Sequence, residues 1–293
     1  MDTVLDTTNK YKHFASHRRR TIIRKVATYV FLVLMSLIWL FPFVYLLLQS
    51  FAVNYSYGDF FPRQWTFKNY IFLFQDTTFH FGQAWLNTFI ISVITAVVQT
   101  VLTLASAYTF SRLRFKMRKP LMKLILILGM FPGFLSMIII YYIMNAVGMA
   151  NSIFSLILIY IGGSAMGYYI AKGFFDTIPR SLDEAALLDG ASKNTVFFKV
   201  IMPLSKPIIV YTLLLSFVGP WGDYMMASYF AQGHQSLFNV AVSLQQMLAK
   251  GAIDVYFPTF CAGGVITSIP IMVLFFVLQK YYVAGVTGGA VKG

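Results

Sequence analysis

The stretch Ser181-Leu182-Asp183-Glu184-Ala185-Ala186-Leu187-Leu188-Asp189-Gly190, followed by Ile201-Met202-Pro203-Leu204-Ser205, lies between two apolar blocks and holds the single glutamate of a 293-residue chain. Pro179 bars a preceding helix from running on, because proline lacks a backbone donor and clashes with the turn before it. Ser181 then reads as an N-cap and Glu184, three residues later, as the second half of a capping box. A short helix is therefore expected through Ala185, Ala186, Leu187 and Leu188. Gly190 stops it by supplying a positive φ. Ser192 caps a second helix through Thr195 to Ile201, ended by Pro203 and Pro207. Small Ala185 and Ala186 allow another backbone to come close, while Leu182, Leu187 and Leu188 form an apolar knob. A simple elbow capped by Glu184 would explain the acid. It does not need two helices and an exposed small-residue face.

Around this module the chain is greasy and basic: 58% of its residues are hydrophobic, 11% are charged, and the net charge is +13. A soluble domain of this size carries far more charge. Apolar residues gather in six blocks, about 26–50, 84–110, 121–145, 152–172, 207–231 and 259–281, long enough to cross roughly 30 Å of hydrocarbon as helices. The expected fold is an all-α membrane protein of six transmembrane helices. The first block is too long for a signal-peptide core and has no small-residue cleavage site after it, so it stays as the first span.

Lys and Arg resist translocation, and twenty of the 23 fall in the N-terminus, the 111–123 loop, the 172–206 loop and the C-terminus. Only Arg63, Lys68 and Lys250 lie in the opposite loops. Both termini and the Ser181–Pro203 module are thus expected on the cytoplasmic side. The division is a basic N-terminus (1–25), a membrane domain (26–283) with a cytoplasmic loop at 173–206 and an outer loop at 232–257, and a tail (284–293). The cations flank apolar blocks and do not line a helix face among aromatics, so the partner they indicate is the lipid bilayer and not nucleic acid. The aromatic stretch 51–83 reads as a loop along the outer interface.

Within the second block Thr88, Ser92, Thr95, Gln99, Thr103 and Ser106 share one helix face, for packing or for a pathway, and packing is favoured. Gly162-Gly163 with Gly167, and Gly219-Pro220 with Gly222, either unwind to line a cavity or allow close packing. Asp223 is the one carboxylate near a span interior. A rise of about 1.5 Å per residue from Pro207 puts it about 24 Å along, close to the outer interface. Beside Trp221 and Tyr224 it reads as an interfacial acid or, less favoured, as a substrate-pathway residue. Cys261, the single cysteine, excludes an intrachain disulfide and a thiol metal cluster.

Glu184-Ala185-Ala186, Gly190 and Ile201-Met202-Pro203 resemble the EAA loop of the membrane subunits of binding-protein-dependent ABC importers, with Met-Pro where Leu-Pro is usual. The run Leu278 to Gly293 resembles the end of the smaller permease of maltose-type carbohydrate importers, and Pro132 with Gly148-Met149-Ala150-Asn151-Ser152 resembles that group's junction between the third and fourth helices. The resemblance implies the type I importer permease fold and three kinds of partner: a second six-span permease, two cytoplasmic ABC ATPases that bind ATP and magnesium, and an extracytoplasmic sugar-binding protein. It implies a multi-pass place in a bacterial-type cell membrane and no cofactor in this chain. It also implies ATPase docking by Leu182, Asp183, Glu184, Ala185, Ala186, Leu187, Leu188, Asp189, Gly190 and Pro203, and a second ATPase contact at Gly285, Thr287, Gly288 and Lys292.

The outer stretch from Val242 to Gly251 resembles the family segment that reaches into the binding protein's cleft, which points to Gln246, Met247, Leu248, Ala249, Lys250 and Gly251; a short packed helix with Leu244 and Leu248 in contact is the alternative. The function expected is half of an ATP-driven pathway for a sugar, with a maltodextrin-like oligosaccharide favoured. A secondary transporter, or a permease for another solute, is the alternative; the former would want ionisable residues at mid-membrane. Catalysis is not expected: the chain has no Gly-Lys dipeptide for a phosphate loop, and its four histidines match no metal motif.

Overall fold

The computed structural model describes residues 2–56, 58–163, 165–249 and 253–290, with side chains described from Arg20 to Tyr281 apart from Ala165. Among the described residues the protein is helical, and its one β feature is an isolated bridge between Ala52 and Trp65. In chain order the helices are α1 (Asp2–Gln49), α2 (Lys68–Gln75), α3 (Phe81–Arg112), α4 (Arg118–Gly129), α5 (Gly133–Ala146), α6 (Ile153–Gly162) and α7 (Ala165–Thr177). They continue as α8 (Ser181–Leu188), α9 (Lys193–Thr195), α10 (Met202–Leu204), α11 (Lys206–Gly222), α12 (Tyr224–Ala231), α13 (Val240–Met247) and α14 (Ile253–Ala290). A backbone in hydrocarbon has no water to bond, so helices are the expected answer to this composition.

Four helical segments are long and apolar enough to cross a membrane, and six if two sharply bent pairs each count as one span. The six expected spans thus include two bent ones. The third block is α4 and α5 meeting at 103°. Pro132 is the cause: it offers no amide to the preceding turn, disfavours helix at Phe131, and instead starts α5 with an extended ψ of 124°. The fifth block ends early, at Gly222, where Asp223 leaves the helical region (φ −83°, ψ 91°) and starts α12. Gly219 and Pro220 stay inside α11, so this glycine-proline pair does not unwind the backbone. The fourth block holds α6, to Gly162, and α7, from Ala165, and Ile153–Thr177 counts as one span. The first block begins well before residue 26, because α1 is already helical at Asp2.

α3 is the central rod, packing against α11, α7, α6 and α13. Its polar face is mostly enclosed: Thr88, Ser92, Thr95, Gln99 and Thr103 are buried and Ser106 is half-buried, and Gln99 Nε2 donates to the Tyr160 carbonyl at 2.7 Å, while the Ser92, Thr95 and Thr103 hydroxyls are packed without a hydrogen-bond partner among the described residues. One apolar core, at the outer end, gathers Leu73, Phe81, Phe217, Trp221, Val240 and Met247. A second, at the cytoplasmic end, gathers Leu104, Tyr108, Phe175, Ile178, Val196 and Ile201. By contrast α1 leaves Trp39 and Phe43 open, and toward its end it meets α14 and, through Phe41 and Tyr45, Phe60 of the following loop. In a bilayer such a surface meets lipid tails or another membrane helix at no cost.

Candidate functional site

α8 forms where the sequence places it, with a different start. Arg180 already has helical angles (φ −67°, ψ −24°), its carbonyl accepts the Glu184 amide at 3.1 Å, and no side chain caps the helix. Ser181 is thus the first helical residue and not the N-cap, which puts its hydroxyl inside the first turn and leaves no capping box with Glu184. Asp183 and Glu184 still suit the first turn, where the helix dipole favours negative charge.

The other end is as expected. Gly190 has φ +83°, its amide donates to the Leu187 carbonyl (3.1 Å), and the Ala191 amide donates to the Ala186 carbonyl (3.0 Å). Those two bonds are the Schellman closure, and they need a residue that tolerates the left-handed region. Ser192 then accepts the Thr195 amide at 3.2 Å and starts the return helix as predicted. That return runs through a π-helical turn, Val196–Ile201, into α10. Pro203 does not end it. The proline sits within the first turn of α10, and the chain bends by 82° only at buried Ser205, before α11.

The surface of α8 is open. Leu188 is 89% exposed, and Leu182, Glu184, Ala185, Leu187, Asp189, Gly190 and Pro203 are exposed with it. Two of the ten expected docking residues face inward. Ala186 packs on the cytoplasmic core. Asp183 turns toward α3, its Oδ2 lying 3.2 Å from Arg112 Nε, with the two side chains 15% and 5% exposed. A basic recess of about 380 Å³ opens beside this pair, lined by Arg112, Arg114, Arg180, Lys193, Glu184 and Leu187 among others.

Sequence reading missed the polar hub behind α8. Arg112 Nη2 donates to the Ile178 carbonyl (2.8 Å), Ser111 Oγ donates to Asp176 (2.6 Å), and Lys172 pairs with Asp176. In sequence Arg112 is one cation of the basic 111–123 loop; its position in the last turn of α3, directly after buried Ser111, is the available signal.

At the outer end the chain spends its polar groups on itself. Asp223 Oδ1 accepts the Met226 amide (3.0 Å) as the N-cap of α12, and Oδ2 accepts the Tyr160 hydroxyl (2.9 Å). Trp221 is buried and meets Trp85 edge-on at 5.8 Å, so it faces the core and no open space. Tyr224 alone of the three pathway candidates borders open space, in two recesses of about 290 and 350 Å³, the first shared with Gln246 and Ala249.

The outer loop is mostly folded. Asn239 caps α13 by accepting the Val242 amide (3.0 Å) and donates to the Pro220 (3.1 Å) and Asp223 (2.8 Å) carbonyls. Asn87 reaches the Ser236 and Phe238 carbonyls (2.9 and 3.0 Å), and Thr88 accepts the Val240 amide (2.8 Å). Met247 is 1% exposed and belongs to the outer core, so it is no surface contact. Leu248 is half-buried, and Lys250 and Gly251 lie outside the described residues. α14 continues through Gly285, Thr287 and Gly288 to Ala290, so these residues are helical and not part of a separate tail; Lys292 lies outside the described residues.

The exposed, apolar-tipped α8 thus stands at one end of a helical bundle with several segments long and apolar enough to cross a membrane. Residues 99–288 match the model of the binding-protein-dependent transport system inner membrane component family, and the chain belongs to that family. It is a membrane-embedded, non-catalytic subunit of an ABC importer. It is 36% identical over 283 residues to the galactooligosaccharides transport system permease protein GanQ of Bacillus subtilis, covering 95% of this chain and 99% of that one. It is 33% identical over 275 residues to the maltodextrin transport system permease protein MdxG of the same organism, covering 93% and 98%. It is 35% identical over 269 residues to the maltodextrin transport system permease protein MalD of Streptococcus pneumoniae, covering 91% and 95%. Its fold matches, with a TM-score of 0.75 at 22% identity over 89% of this chain and 96% of the other, a chain of a bacterial ABC transporter involved in the import of the acidic polysaccharide alginate.

Proposed function

We propose that this chain forms half of the translocation pathway of an ATP-driven oligosaccharide importer in a bacterial cell membrane. A second six-span permease supplies the other half, two cytoplasmic ABC ATPases bind ATP and magnesium, and an extracytoplasmic sugar-binding protein delivers the substrate. The observation that carries this reading is α8: a helix closed by Gly190 that leaves Leu187 and Leu188 in solvent on the cytoplasmic side, a surface that costs free energy until a partner covers it. A partner that closes on nucleotide and grips α8 can turn that closure into a rigid-body swing of the bundle.

The sugar class follows from the relatives named for galactooligosaccharides and maltodextrin transport, at 33–36% identity over nearly the whole chain. Gln245, Gln246, Ser228 and Tyr224 around the outer recess offer the uncharged hydrogen-bonding groups that suit hydroxyl-rich solutes. The test is uptake by the complete complex in proteoliposomes, with ATP inside, against maltodextrins, galactooligosaccharides and an amino-acid control. The expected result is ATP-dependent uptake of an oligosaccharide only. Uptake of the amino acid alone would overturn the sugar class, and uptake by this chain without an ATPase would overturn the mechanism.

A further inference from the structure

We infer that the Arg112–Asp183 pair is the transmission link of this subunit, with α3 as a rod that carries motion of α8 to the outer segment 236–247. Asp183 sits on the helix offered to the driving partner, yet it turns its carboxylate into the protein, 3.2 Å from an arginine that is 5% exposed. The same guanidinium holds the end of α7 through the Ile178 carbonyl, and Arg180, at the start of α8, reaches the Ser111 carbonyl at 3.4 Å. α8 is therefore fastened to the cytoplasmic end of α3 by charge and not merely packed there.

α3 has no break over Phe81–Arg112, about 48 Å of helix at 1.5 Å per residue. Its other end is fastened too, because Asn87 and Thr88 hold the backbone at Ser236, Phe238 and Val240. Between these ends its polar face is buried against the neighbouring helices, while Leu86, Val97 and Val101 on the opposite face are exposed. Coupling between distant sites needs an element with two arrangements, and the ion pair offers one. Arg112 Nε and Asp183 Oδ1 both lack a hydrogen bond in this arrangement. A small rotation of α8 can complete the pair, and a buried charged network favours being either fully made or remade elsewhere.

Arg112 and Asp183 are positioning residues in this scheme, which rests on the proposed docking of an ATPase on α8. The experiment uses the whole complex in lipid and reads the ratio of ATPase rate with sugar-loaded binding protein to the rate without it. If the unaltered complex shows no stimulation, the functional reading itself fails. Given stimulation, Arg112→Gln and Asp183→Asn should each assemble and keep basal hydrolysis while the ratio falls at least tenfold. The double exchange Arg112→Asp with Asp183→Arg should restore part of it. A ratio unchanged in both single variants overturns the proposal. So does loss of assembly, which would make the pair a docking or folding contact, and so does a double exchange that is no better than the single variants.

Discussion

The two ends of the molecule handle their surfaces in opposite ways. At the cytoplasmic end α8 leaves Leu182, Leu187 and Leu188 exposed and keeps only Asp183 and Ala186 for the fold. At the outer end Asp223, Asn239, Asn87 and Thr88 are consumed by internal bonds, and Met247 lies in the core. The first is an open apolar surface, the one assigned above to the proposed ATPase. The second is a preorganised platform, whose polar groups hold shape before any ligand arrives. Damage to the exposed face of α8 should separate the subunits, whereas damage at the second end should weaken response while leaving assembly alone.

The largest effect is expected at Gly190. A Cβ there meets nothing within 4 Å, so the whole difficulty of Gly190→Val is the backbone angle of +83°, which a β-branched residue cannot hold without strain. Uptake should be lost and the ATPase should no longer co-purify, while membrane insertion, followed by fractionation, persists. Normal uptake by this variant would remove the asymmetry between the two ends.

Leu188→Glu comes next. This side chain contributes little to the isolated fold, so thermal stability of the purified subunit should stay within about 0.5 kcal/mol, as for other surface changes. Retention of the ATPase on affinity-captured complex should drop by about tenfold, the scale of about 1.4 kcal/mol lost from an apolar contact. Unaltered retention would place the docking surface elsewhere.

Asn239→Ala should act at the outer end only. It removes an N-cap, worth about 1 kcal/mol, and leaves two backbone carbonyls without their donor. Hydrogen exchange over 236–247 should quicken, and stimulation by the binding protein should fall several-fold with the complex intact. Co-purification failure here would show that the ends are not independent.

The smallest change belongs to Glu184→Ala. With no capping box to lose, α8 should keep its stability, and circular dichroism of the subunit should not move. A loss of uptake in that variant would therefore report contact with a partner, and unchanged uptake would limit docking to the leucines.

Much of this was written in local sequence. The positive φ at Gly190 and the cap at Ser192 follow from residue type, because each depends on neighbours within four positions. The lengths of the apolar blocks dictated membrane spanning, and the face of α3 from Thr88 to Thr103 was readable from spacing alone. Ser181 sits one residue further into the helix than its type suggests, because Arg180 already has helical angles and its carbonyl accepts the Glu184 amide. The bend of α4 on α5 is a consequence of Pro132, visible in sequence but not quantifiable there, because the angle is set by what each half packs against.

What sequence could not supply is which polar groups face one another across the fold. Asp183 looked like its neighbour Glu184, and only the approach of the α3 terminus turned one inward and left the other in solvent. Asp223 stood near Trp221 and Tyr224 in the chain, yet its partner, Tyr160, is 63 residues away. Family, membrane spanning and the exposed helix α8 are thus determined by the chain itself, through composition, periodicity and turn chemistry acting over a few residues. The division between charges that hold the fold and groups left for partners was decided only in three dimensions, because pairing energy depends on distances that packing sets.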